Sequence, residues 1–404
     1  MAVTLFKRGN PVLTLYLALA TAAAYGLPFL RVAPNRLLSG EPVYLEQVLH
    51  LQSSPFEIAC LCAIVGLLCV ATWMPLQRLI QTIVIVAMGL CLAGLWQLAG
   101  QYAGAISQPE NTLARTNLGS AFWALGTIAW LIALDAINRL QLTNFWRLLV
   151  QTALLLPLAL TVAASLASAS DMALNAGQHL SIVKEFANQS DVLKSAVLRH
   201  LQLVLLAILP AVAIGVPLAW RMTRQPGIQK ALFPVLNVIQ TIPSIALFGL
   251  LMAPLAWMAV QMPALARAGI SGVGMAPAII ALLLYALLPI VRSTLAGFGQ
   301  VPTEVVHAAR AMGMSPRQVL LQVELPLALP VLLIGLRTAV VQTTGLAAVS
   351  ALVGAGGLGQ IMFDGLFSAA NELVILGVVP IVLLAMLADT FFKVMEALMK
   401  ERTC

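Results

Sequence analysis

The chain has 404 residues, of which 61% are hydrophobic and 9% charged, and its formal net charge is +7. A charged fraction so far below the ordinary level of about 25% excludes a soluble globular domain. No basic cluster interleaved with aromatic residues accompanies the positive charge, so nucleic acid is not the expected partner.

A membrane-spanning helix requires about 20 mostly apolar residues, and about ten such stretches follow one another along the chain. They lie near 11–30, 56–73, 79–98, 119–138, 145–168, 200–220, 235–260, 277–298, 327–349 and 372–393. The expected fold class is an all-α polytopic membrane protein embedded in a lipid bilayer. With the N-terminus inside, the inner segments hold Lys7, Arg8, Arg78, Arg139, Arg147, Arg221, Arg224, Lys230, Arg310, Arg317, Lys393, Lys400 and Arg402. The outer segments hold the shorter set Arg31, Arg36, Arg115, Lys184, Lys194, Arg199 and Arg267, several of them beside Asp or Glu. The positive-inside bias therefore places both termini in the cytoplasm and accounts for the net charge. The first run, after Lys7-Arg8, is also compatible with a cleavable signal peptide, which would leave the later topology unchanged. Cys60, Cys62, Cys69 and Cys91 lie in apolar helices and Cys404 ends the chain, in no spacing that suits a metal or a disulfide framework.

The chain divides near residue 170. Residues 1–168 form a five-helix membrane extension with short loops. Residues 169–199 read as an outer-face segment whose apolar positions Met172, Leu174, Leu180, Ile182, Val183 and Phe186 suit a helix lying along the surface. Residues 200–404 carry five further helices joined by loops richer in Gly, Pro and charge.

The loop 302–326 is the most structured of these by sequence. Good helix formers run from Thr303 to Met312, and Gly313 suits the left-handed position that ends a helix. Ser315, Pro316 and Gln318 then stand at N-cap, N1 and N3 of a second helix, a capping box. Two short helices at an angle make a stiff polar knob. Such ordering exceeds what a connection between two membrane helices needs and suits a surface that receives force from a soluble motor.

Three other features stand out in the second half. Asn237, Gln240, Thr241 and Ser244 fall at i, i+3, i+4 and i+7 around Pro243, one wet face on a kinked apolar helix. That face suits either a solute path or interhelical hydrogen bonding. Arg337 lies roughly 15 Å into the helix that starts at Pro326, where an Arg must face protein or water. It is expected to line the pathway, to pair with Asp389 or to sit at a dimer seam. Gly354, Gly356 and Gly359 spell G-x-G-x-x-G, with Gly357 between them, but they follow a membrane helix rather than a strand, which excludes a dinucleotide fold. A turn requiring positive φ, or close approach of a neighbouring helix, is the expected reason for these glycines.

The spacing Ala308-Ala309, Gly313, Leu325-Pro326 resembles the "EAA" loop of bacterial ABC importer permeases. The segments "IQTIPSIALFGLL" (239–251), "LYALLPIVRSTLAG" (284–297), "ELPLALPVLLIGLRTA" (324–339) and "LVGAGGLGQIMFDGL" (352–366) resemble the glycine betaine/choline osmoprotectant branch of that family. The extra N-terminal helices and "VKEFANQSDVL" are similar to its long YehY-type members. The resemblance covers residues 190–404 and implies a type I (MetI-like) permease core of five C-terminal helices. It implies a coupling helix docked on an ATPase, with Ala308, Ala309, Gly313, Ser315 and Pro316 shaping the element and Arg310 and Arg317 as contacts. The family's leading Glu is His307 here, and Glu304, one turn earlier on the same face, is the residue that could supply the carboxylate. The glycine turn is assigned to the outer gate region.

The family further implies a dimeric pore with a second permease copy or paralogue, a periplasmic solute-binding protein and residence in the bacterial inner membrane. No G-x-x-x-x-G-K-[ST] occurs, so ATP and Mg belong to a separate ATPase and no cofactor is expected on this chain. Two rivals stand beside this reading: an ion-coupled secondary transporter, disfavoured because Asp135 and Asp389 sit toward inner helix ends, and a non-transporting membrane scaffold.

Overall fold

The structure, a computed structural model, describes residues 10–35, 40–52, 55–73, 78–106, 114–167, 180–267 and 269–403. Lys7, Arg8, Arg36, Cys404 and the start of the expected surface segment, 169–179 with Met172 and Leu174, lie outside them. Among the described residues eight helices are long and apolar enough to cross a membrane, and shorter apolar helices occupy the other two expected positions, Pro11–Gly26 and Ala63–Trp73.

Contacts divide the chain into two units, Met1–Gln189 with Ala369–Glu372, and Ser190–Ser368 with Leu373–Cys404. The first holds α1 (Pro11–Gly26), β1 (Leu30–Ala33), β2 (Glu41–Val43), α2 (Leu45–Gln52), α3 (Pro55–Trp73), α4 (Arg78–Ile106), β3 (Arg115–Leu118), α5 (Ser120–Arg139), α6 (Asn144–Ala167) and α7 (Ser181–Asn188). The long apolar helix α4 packs on α5 and α6, burying Met88, Leu92, Ile137 and Leu154. Trp96 and Ser165 join α4 to α6 by a buried hydrogen bond of 3.1 Å.

Although the unit is mostly helical, β1 lies between β2 and β3 in a small antiparallel sheet that the sequence pattern does not announce. Strands of three or four residues are too short to display a period of two. Of the expected surface segment, the described residues hold α7 over Ser181–Asn188, and a new helix begins at Ser190.

Several charged groups of the first unit are paired. Asn10 caps α1 by accepting from the amides of Val12 and Leu13, and its amide donates to Asp135, which is also ion-paired with Arg139 at 2.8 Å. Arg115 lies 3.4 Å from Glu185 and 3.8 Å from Glu372, two nearly buried carboxylates. Burial, reinforced by the Arg115 guanidinium, pushes the Lys184 ammonium below its usual range.

The second unit holds α8 (Ser190–Arg224), α9 (Pro226–Thr241), α10 (Ser244–Gln261), α11 (Pro263–Arg267), α12 (Met275–Gly299), α13 (Thr303–Ala311), α14 (Pro316–Gln318), α15 (Leu325–Val349), α16 (Leu358–Phe367) and α17 (Asn371–Thr403). At its centre α12 packs against α8 and α15, burying Leu282, Tyr285, Ile290 and Val291. Small residues permit the approach: a Cβ at Gly335 of α15 would overlap the Ser293 side chain of α12.

The stretch expected as one kinked helix over 235–260 is instead two helices, with extended backbone at Ile242 and Pro243 between them. Proline explains more than the break. Pro289 has no amide to donate to the carbonyl four residues earlier, so the Tyr285 oxygen is left free within α12. Gln240 fills it, its Nε2 donating at 2.6 Å, while the Tyr285 hydroxyl donates to the Ile242 carbonyl at the break. Two helix interruptions thus complete each other. Removing that donor alone, in Tyr285→Phe, is expected to cost about 1–2 kcal/mol, measured as a lower melting temperature in detergent.

Candidate functional site: a capped knob, a helix break and a glycine turn

Helix α13 begins at Thr303 and ends with Met312 as C-cap and Gly313 at φ +82°. Ser315 then caps α14: its Oγ accepts from the Gln318 amide, and Gln318 Oε1 accepts from the Ser315 amide at 2.8 Å. Both turn features expected of the loop are present. The second short helix is not a separate one, however. It continues through a π-helical turn, Val319–Glu324, directly into α15.

The continuous span Pro316–Val353 has 38 residues. At 1.5 Å per residue it is about 57 Å long, nearly twice a hydrocarbon core of about 30 Å. Its first turns carry the polar residues Ser315, Arg317, Gln318 and Gln322, all exposed, so the surplus length falls at that end. The knob stands on a rod that outreaches the bilayer.

Its two faces differ. Ala309 and Val319 are each 2% exposed, and α13 packs onto the π-turn. Glu304, His307, Ala308, Arg310, Gly313, Ser315, Pro316 and Arg317 are exposed, joined by Val305 and Met312. The paired alanines divide the work, Ala309 seating the helix and Ala308 facing outward. Below the knob, Glu324 is buried and its Oε1 lies 2.5 Å from Arg224 Nη2 at the end of α8.

A family model described as "Binding-protein-dependent transport system inner membrane component" matches residues 211–401, and one described as "ABC transporter permease YehY, N-terminal domain" matches residues 7–170. The osmoprotectant import permease protein OsmW of Salmonella typhimurium is 40% identical over 49% of this chain and 86% of its own length. The glycine betaine/carnitine/choline transport system permease protein OpuCD of Bacillus subtilis is 38% identical over 47% of this chain and 77% of its own. The chain belongs to the ABC importer permeases. A structure of the MetNI methionine ABC transporter in inward-facing conformations matches 51% of the permease at 24% identity, with a TM-score of 0.43.

At the far end of α15 the permease turns through a 3₁₀ segment, Ser350–Val353, into three glycines at positive φ: Gly354 (+78°), Gly356 (+78°) and Gly357 (+83°). Gly359 is different: it lies inside α16, where a Cβ would come 1.9 Å from the Ala348 carbonyl oxygen. Both reasons expected of these glycines therefore apply, to different members. The turn is held by α8, whose Arg199 Nε donates to the Ala355 carbonyl at 3.1 Å. The adjacent His200 ring, fully buried, lies 3.0 Å from the Thr344 carbonyl.

The polar track around Pro243 is largely committed within the protein. Gln240 serves Tyr285 and also lies 3.5 Å from Gln342, and the Thr241 hydroxyl turns back to the Val238 carbonyl of its own helix. Asn237 and Ser244 are half-buried on opposite sides of the break, so the four residues do not form one helical face. Arg337 is paired with Asp389 of α17, Nε to Oδ1 at 2.5 Å, and Asp389 also accepts from Lys393. Of the arrangements the sequence leaves open, the geometry realises the interhelical ion pair. Among the described residues no group of His, Cys, Asp or Glu is placed to hold a metal ion.

Sequence reasoning missed Arg224 with Glu324, Arg199 with His200, and Tyr285. The first two sets join residues at least 100 positions apart, beyond any local pattern. Tyr285 did carry a signal, the proline four residues after it.

Proposed function

We propose that this permease moves a quaternary ammonium osmoprotectant, glycine betaine or a close analogue, into the cytoplasm, driven by ATP hydrolysis on a separate ATPase subunit. The observation that carries this reading is the exposed, doubly capped knob at the end of an over-long helix in a domain 40% identical to an osmoprotectant import permease. A rigid protrusion transmits displacement, whereas a flexible loop absorbs it.

In this reading Ala308, Arg310, Gly313, Ser315, Pro316 and Arg317 face the ATPase, with Glu304 and His307 on the same side. The knob is cytoplasmic, both termini are inside, and the glycine turn 354–359 faces the periplasm, where a solute-binding protein delivers the substrate. A second permease copy or paralogue completes the pore. ATP and Mg are held by the partner, and the membrane extension 1–168 accompanies the transport domain 200–404.

Uptake of labelled glycine betaine by a deletion strain, with and without the restored gene, tests the substrate. Uptake is expected to return with the gene and to persist when a protonophore collapses the proton gradient at constant ATP. Loss of uptake under the protonophore would establish the ion-coupled alternative.

A further inference from the structure

Helices α8 and α15 are bridged by side chains at both ends. At one end Arg224 and Glu324 form an ion pair, in which Glu324 is 7% and Arg224 42% exposed. At the other end His200 meets the Thr344 carbonyl and Arg199 holds the Ala355 carbonyl of the glycine turn. The bridges are 24 residues apart on α8 and 20 on α15, counted from His200 to Arg224 and from Glu324 to Thr344. At 1.5 Å per residue those intervals are about 36 and 30 Å, the depth of a bilayer core. Between the bridges both helices pack on α12. The lower bridge does not rest on ordinary α-helix: Glu324 ends the π-helical turn on which α13 sits. A π-turn is a strained element that commonly marks a functional position. A carboxylate buried there, 100 residues in sequence from its partner, fixes the junction of knob and rod to the neighbouring helix.

We propose that Arg224 and Glu324 are the positioning pair through which displacement of the knob reaches the glycine turn. Without the ion pair the π-turn yields and the rod is no longer driven together with α8. With it, α8 and α15 move as one frame, and Arg199 and His200 carry that movement to residues 354–357. The proposal rests on the reading of α13 as the element that meets the ATPase, and the test separates the two.

The full transporter, permease with its ATPase in proteoliposomes, is prepared on a cysteine-free background carrying either Met312→Cys on the knob or Leu352→Cys beside the glycine turn. Met312 is 77% and Leu352 43% exposed in the protein, and the maleimide reaction of each cysteine without nucleotide sets its reference. In the otherwise native chain, the ATPase is expected to protect position 312, and vanadate-trapped nucleotide to change labelling at 352 by about tenfold, within the range of allosteric couplings. Glu324→Gln is expected to leave protection at 312 intact and abolish the change at 352. The double variant Arg224→Glu with Glu324→Arg is expected to restore it.

No protection at position 312 would overturn the coupling reading and the proposal with it. Protection at 312 with an unaltered response at 352 in Glu324→Gln would overturn the proposal alone. Failure of the double variant to restore the response, at an unchanged melting temperature, would reduce the pair to local packing and overturn it as well.

Discussion

Gly313→Pro is expected to abolish ATP-driven uptake while the permease reaches the membrane in normal amount. The residue holds φ +82°, and proline is confined to about −65°, so the chain cannot turn from α13 into the Ser315 cap. The effect is purely one of backbone. No atom lies within 4 Å of where a Cβ at position 313 would stand. Gly313→Ala therefore meets no clash and carries only the left-handed penalty of about 1–2 kcal/mol. A graded pair of phenotypes follows, with uptake near normal for Ala and lost for Pro. Immunoblotting of membranes together with the ratio of solute taken up to ATP hydrolysed would check it. Normal uptake by Gly313→Pro would remove the coupling assignment.

Gly359→Val is the second large effect, and its cause is the opposite one. This glycine is needed for space rather than for φ, since even a Cβ would lie 1.9 Å from the Ala348 carbonyl oxygen. Backbone cannot yield as a flexible side chain does, so α16 must lift away from α15, at the upper end of overpacking costs, about 3 kcal/mol. The glycine turn between the two helices would lose its seat on Arg199 and His200. Uptake should fall to background and melting temperature in detergent should drop. By contrast, Gly299→Val should change neither, because its Cβ would meet nothing within 4 Å.

Features that were legible in the sequence are those whose cause is local. An apolar run long enough to cross a bilayer is visible without any neighbour, and all ten expected positions carry apolar helices. The knob was legible for the same reason. Gly313, Ser315, Pro316 and Gln318 act on amides and dihedrals within three residues of themselves, and the turn and capping box they form need no tertiary partner. The break at Pro243 was only half visible. Proline announced an interruption, but whether the helix bends or stops depends on who satisfies the released groups, and that is Tyr285, more than 40 residues away.

Charge shows the same boundary. Composition and topology together required Arg337 to be shielded and offered Asp389 as a partner, and the two are joined. They did not couple Glu324 to Arg224, because a single Glu in a polar loop looks solvated until a second helix covers it.

By itself, then, the sequence determined the membrane-spanning class, the order of the spans, the capped knob and the need for glycine at 354, 356 and 357. Each of these follows from hydrophobic length or from a backbone requirement felt within a few residues. Only the tertiary structure decided that Pro316–Val353 is one continuous rod, that Gln240 and Tyr285 close each other's helix breaks, and that α8 is tied to α15 at both ends. Those outcomes depend on which polar groups lose water together, and helices far apart in the chain share that burial only after they have packed.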